Sequence, residues 1–396
     1  MTDSDESFTV STGVDRLCSD VSLLTRYDGT VARGLFTNFT GTMPDLTRNI
    51  DSMLGAGITL SALFSPEHGL WGSAQAGETE PAGVDEYTGL PVYDTYRRQG
   101  KALDAVLHDS GITELVIDLQ DCGVRFYTYI WSMFDVMVSA ARLCIPVTVL
   151  DRPNPLGCLE AQGPGLLAEC SSFVGRVSIP LIHSMTMGEL AGWFNAAEVP
   201  ELAGRPAELQ VIRMANWNRK TPVADAVRPW VSPSLNLPTP TTAHVYPGTC
   251  LFEGTNASEG RGTTHPFEMI GAGWVDARYV QALRERELPG VLFREIYFVP
   301  TFDKWQSERI RGVQLHVVDP VAFQPLQTGV AMIQAMAKLY PGDFQFLVQE
   351  TEGNQPFIDL LWGSDVLRTR TDLDYPSLLA ASPKPRTIDT DIRLYA

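Results

Sequence analysis

Ile58-Thr59-Leu60-Ser61-Ala62-Leu63-Phe64 followed by Ser65-Pro66-Glu67-His68-Gly69 is the stretch on which the fold turns. An apolar run of strand length stops abruptly at a Pro and a Gly, with an acid and a histidine between them. Upstream, Val31 to Phe36 reads as a strand, and Thr37-Asn38-Phe39-Thr40-Gly41 as a polar loop. Leu46, Ile50, Met53 and Leu54 then share one helical face. The unit is therefore β-loop-α-β, the signature of a parallel sheet.

The same alternation continues downstream. A Gly-rich, acidic loop runs from about Leu70 to Leu90, and loops of that length in compact domains tend to be functional or disordered. Ala102 to Leu107 suits a helix, Glu114 to Ile117 a strand ending in Asp118-Leu119-Gln120-Asp121. Ile130, Met133, Phe134, Met137, Val138 and Ala141 mark an amphipathic helix. Pro146 to Leu150 is a strand ending in Asp151-Arg152-Pro153-Asn154-Pro155. Thr186-Met187-Gly188-Glu189 has the form of a capping box, and Leu209 to Met214 reads as one more strand. Parallel strands present their carboxyl ends on one edge, so these polar loops converge there. After about Ala215 prolines and glycines dominate. Strands at Glu295–Val299 and Val313–Val318 and a helix near Thr328–Leu339 predict a smaller α+β domain. The expected division is 1–230 and 231–396, at the usual size for two domains.

Net charge is −17, which opposes nucleic acid or an anionic membrane surface as partner, because both need Lys/Arg-rich faces. Six cysteines form no Cys-x-x-Cys pair and read as free thiols of a reducing compartment. The acidic start Met1-Thr2-Asp3-Ser4-Asp5-Glu6-Ser7 lacks the features of a signal peptide, and no run of 18 apolar residues occurs. A cytoplasmic protein without membrane insertion is expected; the oligomeric state is open.

Glu67, just past a strand and framed by Pro and Gly, suits a positioned general acid, or a loop carboxylate capping the next element. His68 has no histidine partners at metal-ligand spacing, so no metal is expected. Asp118, Asp121, Arg125, Tyr127 and Tyr129 form the densest polar cluster. They suit a sugar site, or a salt-bridged turn with the tyrosines in the core. Asp121 or Asp118 is available as a second carboxylate. Asp151 and Asn154 lie in a proline-fixed turn that serves structure or ligand equally. Glu253, Asn256, Glu259 and Arg261 lie in a Gly-rich loop able to close over a cleft. That loop lacks Walker A spacing, no Gly-x-Gly-x-x-Gly follows the early strands, and no Gly-x-Ser-x-Gly elbow occurs. No cofactor is expected.

Taken together, several motifs resemble the NamZ-like exo-β-N-acetylmuramidases. They are Thr37-Asn38-x-Thr40-Gly41, Pro66-Glu67-His68-Gly69, Thr88-Gly89-Leu90-Pro91-Val92-Tyr93 and Asp118-Leu119-Gln120-Asp121-x-Gly123-x-Arg125-x-Tyr127-Thr128-Tyr129. Asp151-Arg152-Pro153-Asn154-Pro155-Leu156-Gly157, Tyr246-Pro247-Gly248, Glu253-Gly254-Thr255-Asn256-x-Ser258-Glu259-Gly260-Arg261-Gly262-Thr263 and Pro266-Phe267-Glu268 complete the series. The resemblance implies a Rossmann-like α/β domain with a parallel sheet, a smaller α+β auxiliary domain, and a cleft between them. It implies release of N-acetylmuramic acid from non-reducing ends of peptidoglycan fragments, with a small carbohydrate or muropeptide as partner. Glu67 carries over as the catalytic glutamate, with Asp121 as the expected second group. Asn38, His68, Asp118, Arg125, Tyr127, Asp151, Asn154, Glu253, Asn256, Glu259 and Arg261 are the expected substrate-binding set. Arg125 or Arg261 is expected to grip the lactyl carboxylate. Gln162, Ser184 and Gly273 stand where Glu, Gly and Pro are expected. Loss of a carboxylate at Gln162 keeps open a binding protein without catalysis, or a glycosidase for another amino sugar. A nucleotide-dependent enzyme is the third reading.

Overall fold

The computed structural model describes residues 10–24, 31–157, 159–221, 229–349, 353–388 and 390–396. The readings made on the N-terminal segment and on Cys158 lie outside them.

The first half is built on a seven-stranded sheet. In chain order its strands are β1 (Arg33–Thr37), β2 (Ala62–Ser65), β3 (Gly83–Val84), β4 (Pro91–Asp94), β5 (Glu114–Asp118), β6 (Val147–Leu150) and β7 (Leu209–Ile212). The spatial order is β3-β4-β2-β1-β5-β6-β7, with every pair parallel except the β3 edge. Counting parallel strands alone, the order is third-second-first-fourth-fifth-sixth, that of doubly wound dinucleotide-type sheets. The α/β expectation holds, and so does the smaller domain's mixed character.

Both faces of this sheet are buried, which is why its strands read as unbroken apolar runs. Leu35, Leu63, Val116 and Leu150 point to one side, where α1 (Gly13–Ser19) and α2 (Asn49–Gly55) supply Val14, Leu17, Ile50 and Met53. Phe36, Phe64, Ile117 and Val149 point to the other. There they meet α3 (Lys101–Asp109), α4 (Tyr129–Leu143), α5 (Met187–Ala197) and α6 (Val199–Ala203). The predicted capping box at α5 is present: Thr186 Oγ1 accepts from Glu189 N, and the Glu189 side chain accepts from Thr186 N.

The second half adds an antiparallel sheet ordered β8-β10-β9, from β8 (Met269–Ala272), β9 (Val291–Phe298) and β10 (Ile310–Val317). Its three longest helices among the described residues are α7 (Pro240–Thr249), α8 (Ala277–Arg284) and α9 (Pro325–Leu339). The apolar core runs without a break from Ile117 and Trp131 to Phe252, Val313 and Trp362.

The stretch read as loop from its prolines contains α7. Pro240 sits in its first turn, where a missing N–H costs nothing, Thr239 caps it, and Pro247 falls in its last turn. The helix is buried from Thr242 to Thr249, so it shows no polar face for periodicity to detect. Its Gly248 lies backbone to backbone against Gly329 of α9; a Cβ on Gly329 would stand 2.2 Å from Gly248 O. Gly329→Ala raises helix propensity by about 1 kcal/mol, yet overpacking against backbone costs about 1–3 kcal/mol. The expected outcome is a lower urea midpoint; an unchanged or higher one would show that the helices can part.

The last residues turn back to the first half. Tyr395 donates its hydroxyl to Asp151 Oδ2 at 2.6 Å, Leu394 N donates to Glu189 Oε1 at 2.8 Å, and Arg386 pairs with Glu198.

Candidate active site

Sheets of this order bind ligands where the chain reverses direction, here between the carboxyl ends of β1 and β5. In this chain that position is filled by side chains. Arg152 forms a two-point ion pair with Asp118, at 2.5 and 2.9 Å. Asn49 Nδ2 donates to Asp118 Oδ2 at 2.7 Å and to Thr37 Oγ1 at 2.8 Å. Gly41 packs directly on Asn49. The plug removes the usual seat of a nucleotide.

The open space lies to one side, over the ends of β2, β4 and the β5–α4 loop. It is a cleft of about 460 Å³, closed from the other side by the second half. Glu67, His68, Tyr96, Arg97, Tyr127 and Thr128 line it from the first half, joined by Phe173. Tyr246, Glu253, Arg261, Phe267, Phe302 and Asp303 line it from the second. Carboxylates, an arginine pair and aromatic rings in one hollow are the makings of a sugar site.

Glu67 is fixed on both oxygens. Oε1 accepts from Gly77 N at 2.6 Å and Oε2 from Thr128 Oγ1 at 2.5 Å. Thr128 occupies the N-cap of α4 but makes no side-chain cap there. Its hydroxyl is spent on Glu67 instead, and the helix N-terminus favours the acid's negative charge. The backbone reverses just beyond, with φ of +71° at His68 and +78° at Gly69. At Gly69 a Cβ would sit 2.3 Å from Glu80 Oε2. Glu80 in turn accepts from Trp71 N, Ser73 N and Ser73 Oγ at 2.9, 2.8 and 2.7 Å. The loop after β2 is thereby folded back so that Gly77 reaches Glu67. His68 Nδ1 faces Ala74 O at 2.9 Å, so a proton sits on Nδ1 and is donated to that carbonyl.

The opposite wall carries Glu253 and Arg261, the front of a chain of four charges that continues behind it through Glu259 and Lys304. Arg261 Nη2 donates to Glu253 Oε1 at 2.6 Å, and its Nε lies 3.1 Å from Glu259 Oε1. Lys304 Nζ meets Glu259 Oε2 at 2.6 Å and also donates to the carbonyls of Phe252 and Thr255. Burial works to raise both acids. At Glu259 it is outweighed by Lys304 and Arg261, and the carboxyl lies below its ordinary value. At Glu253 burial wins over Arg261, and the carboxyl lies above it.

The N-terminal domain model of the exo-β-N-acetylmuramidase NamZ matches residues 33–241, and the C-terminal domain model matches 244–378. The chain belongs to the NamZ family. The peptidoglycan β-N-acetylmuramidase NamZ of Bacillus subtilis is 42% identical over 365 residues, 92% of this chain and 84% of that protein. Two DUF1343 family crystal structures from Bacteroides fragilis have the same fold. One has a TM-score of 0.80 at 33% identity, covering 92% of this chain and 91% of the other. The second has a TM-score of 0.71 at 28% identity, covering 94% and 93%.

Several residues expected at the substrate stand behind the cleft and not in it. Arg125 is fully buried. Its Nη1 donates to Pro164 O and Ile179 O at 2.7 and 2.9 Å, its Nη2 to Leu361 O and Trp362 O at 3.1 and 2.8 Å. Burial pulls this guanidinium down to about 9. Asp118 is the plug described above. Asp121 Oδ2 accepts from Gly123 N at 2.7 Å and lies 3.1 Å from His183 Nε2, under the loop. Asp151 takes hydrogen bonds from Thr186, Gly188 and Tyr395, and burial pushes its carboxyl up to about 6. Asn38 accepts from Thr40, Asn154 bridges Leu156 and Met185, and Asn256 ties Asp343 to Gln345. Glu259 backs Arg261 without lining the cleft. Tyr127 contributes ring surface only, since its hydroxyl donates to Pro233 O at 2.6 Å. Among the described residues no three His, Cys, Asp or Glu side chains stand close enough to share a metal ion.

The three departures from the NamZ pattern fall at structural positions. Gln162 pairs backbone to backbone with Ile182 and is not among the cleft residues. Ser184 has φ of +57°, the left-handed region where a glycine is at ease. Gly273 lies beneath Trp305, whose ring occupies the space a side chain would need.

Proposed function

We propose that this chain is an exo-β-N-acetylmuramidase that releases N-acetylmuramic acid from non-reducing ends of peptidoglycan fragments. The observation that carries the reading is Glu67, locked on both oxygens and facing a sugar-sized cleft with aromatic walls. The name of the B. subtilis relative supplies the substrate class. Glycoside cleavage passes through an oxocarbenium-like transition state. A carboxylate held rigid in a partly dry cleft stabilises that positive charge without reorganising. Because both its oxygens accept hydrogen bonds, we assign Glu67 this role and not the proton-donor role considered from sequence. The division at 230/231 gives Glu67 to a Rossmann-like domain and Glu253 to an auxiliary domain.

Among the described residues no helix is long and apolar enough to cross a membrane. The free thiols Cys18, Cys122, Cys144, Cys170 and Cys250 suit a reducing compartment, and we place the enzyme in the cytoplasm, acting on imported wall fragments. The test is hydrolysis of a chromogenic β-N-acetylmuramide beside the matching β-N-acetylglucosaminide. Release from the muramide alone is expected; release from neither, or from the glucosaminide alone, refutes the reading.

A further inference from the structure

A glycosidase that expels an alcohol needs a proton for the departing oxygen. Glu67 has donors on both oxygens, and Asp121, the other acid expected to take part, lies under the loop beside His183. Glu253 enters the same cleft from the second half. Its side chain is 20% exposed, and only Oε1 is held, by Arg261. Arg261 shares its charge between Glu253 and Glu259, so its pull on either is divided. The backbone next to Glu253 is closely packed: a Cβ on Gly254 would stand 2.5 Å from Ile358 N. Glu253 thus lines the same cleft as Glu67, from the second half, partly desolvated and held at one oxygen.

We propose that Glu253 is the general acid of this active site. The inference rests on the glycosidase reading above. As the bond between the anomeric carbon and the glycosidic oxygen breaks, its electron pair stays on that oxygen, which takes the Glu253 proton and leaves as a hydroxyl. Water bonds the anomeric carbon, and the proton it sheds returns to Glu253 through the solvent of the cleft. The burial that holds this carboxyl above its ordinary value keeps it protonated further toward neutral pH. The charged and titratable groups facing it are Arg261, Glu259, Lys304 and Asp303, with the Tyr246 hydroxyl and Cys250 thiol beneath.

The test compares wild type with Glu253→Gln on two muramides. One has a nitrophenyl leaving group that needs no proton; the other is the disaccharide N-acetylmuramyl-β-1,4-N-acetylglucosamine. For Glu253→Gln, kcat/KM on the disaccharide is expected to fall about 10²–10⁴-fold, the usual worth of a general acid. On the nitrophenyl substrate it falls less than about tenfold; on the disaccharide the alkaline limb of the pH profile disappears, since no acid then remains to titrate. Equal losses on both substrates, or no loss on either, overturn the assignment. A wild type inactive on both muramides overturns the glycosidase reading itself. Glu253→Asp, which keeps the acid but withdraws it by one methylene, guards against misfolding. It should retain the alkaline limb with a lower kcat.

Discussion

Glu67→Gln is expected to lower kcat on any muramide substrate by about 10²–10³-fold, with the melting transition unchanged. The substitution replaces one oxygen by an amide and alters no volume. The remaining oxygen can still accept from Gly77 N. The new NH₂ then faces Thr128, whose hydroxyl turns from donor to acceptor. Every hydrogen bond is therefore kept, and only the charge is lost. Any fall in rate then reports charge stabilisation at the reacting carbon and not a collapsed loop. Both kinds of muramide should suffer alike, unlike the split expected at Glu253. Full activity in Glu67→Gln would remove Glu67 from the mechanism.

The second large effect is on stability. Arg125→Met removes the donors of four backbone carbonyls, two from the first half (Pro164, Ile179) and two from the second (Leu361, Trp362). Each buried carbonyl left unsatisfied costs about 1–3 kcal/mol. Part of this is offset because a buried charge is also removed. A net loss of about 3–5 kcal/mol is expected, a large share of the ~5–15 kcal/mol that holds a folded protein together. Arg125→Lys should fall between, since an ammonium has three donors and no planar fork. Thermal unfolding checks the stability. KM for the chromogenic muramide checks the role: it should stay constant in Arg125→Lys. A KM that rises, with stability intact, would return Arg125 to the substrate.

Much of the first half was legible because a doubly buried parallel strand writes itself as an apolar run with a polar stop. The strands at 33–37, 62–65, 114–118, 147–150 and 209–212 lie on or within two residues of their expected C-terminal ends, and these ends position the loops. The second half hid β8, four residues long with a glycine in it, and α7, which is buried from Thr242 to Thr249. At the site, Glu67 stood out because Pro and Gly isolate it past a strand. Thr128 did not, because a threonine before a helix reads as a cap, and nothing local shows that its hydroxyl turns to residue 67. Asp118, Arg125 and Asp151 had the composition of a binding site, but their partners lie far along the chain. Arg125 is bonded to a carbonyl 237 residues away. Polar residues at strand ends serve the loops as readily as a ligand, and only the folded chain separates the two.

The hydroxyl of Tyr395 on Asp151 also sets an order of events during synthesis. The two residues are 244 positions apart. A ribosome adding about 5–20 residues per second needs roughly 10–50 s to cover that distance. For that interval one of the hydrogen-bond partners of Asp151, the carboxylate just past β6, is not yet made. Translation can deliver the strands, the plug at Asp118 and the Glu67 loop in sequence. The docking of Leu394 and Tyr395 on Glu189 and Asp151 therefore follows synthesis of every strand of the seven-stranded sheet.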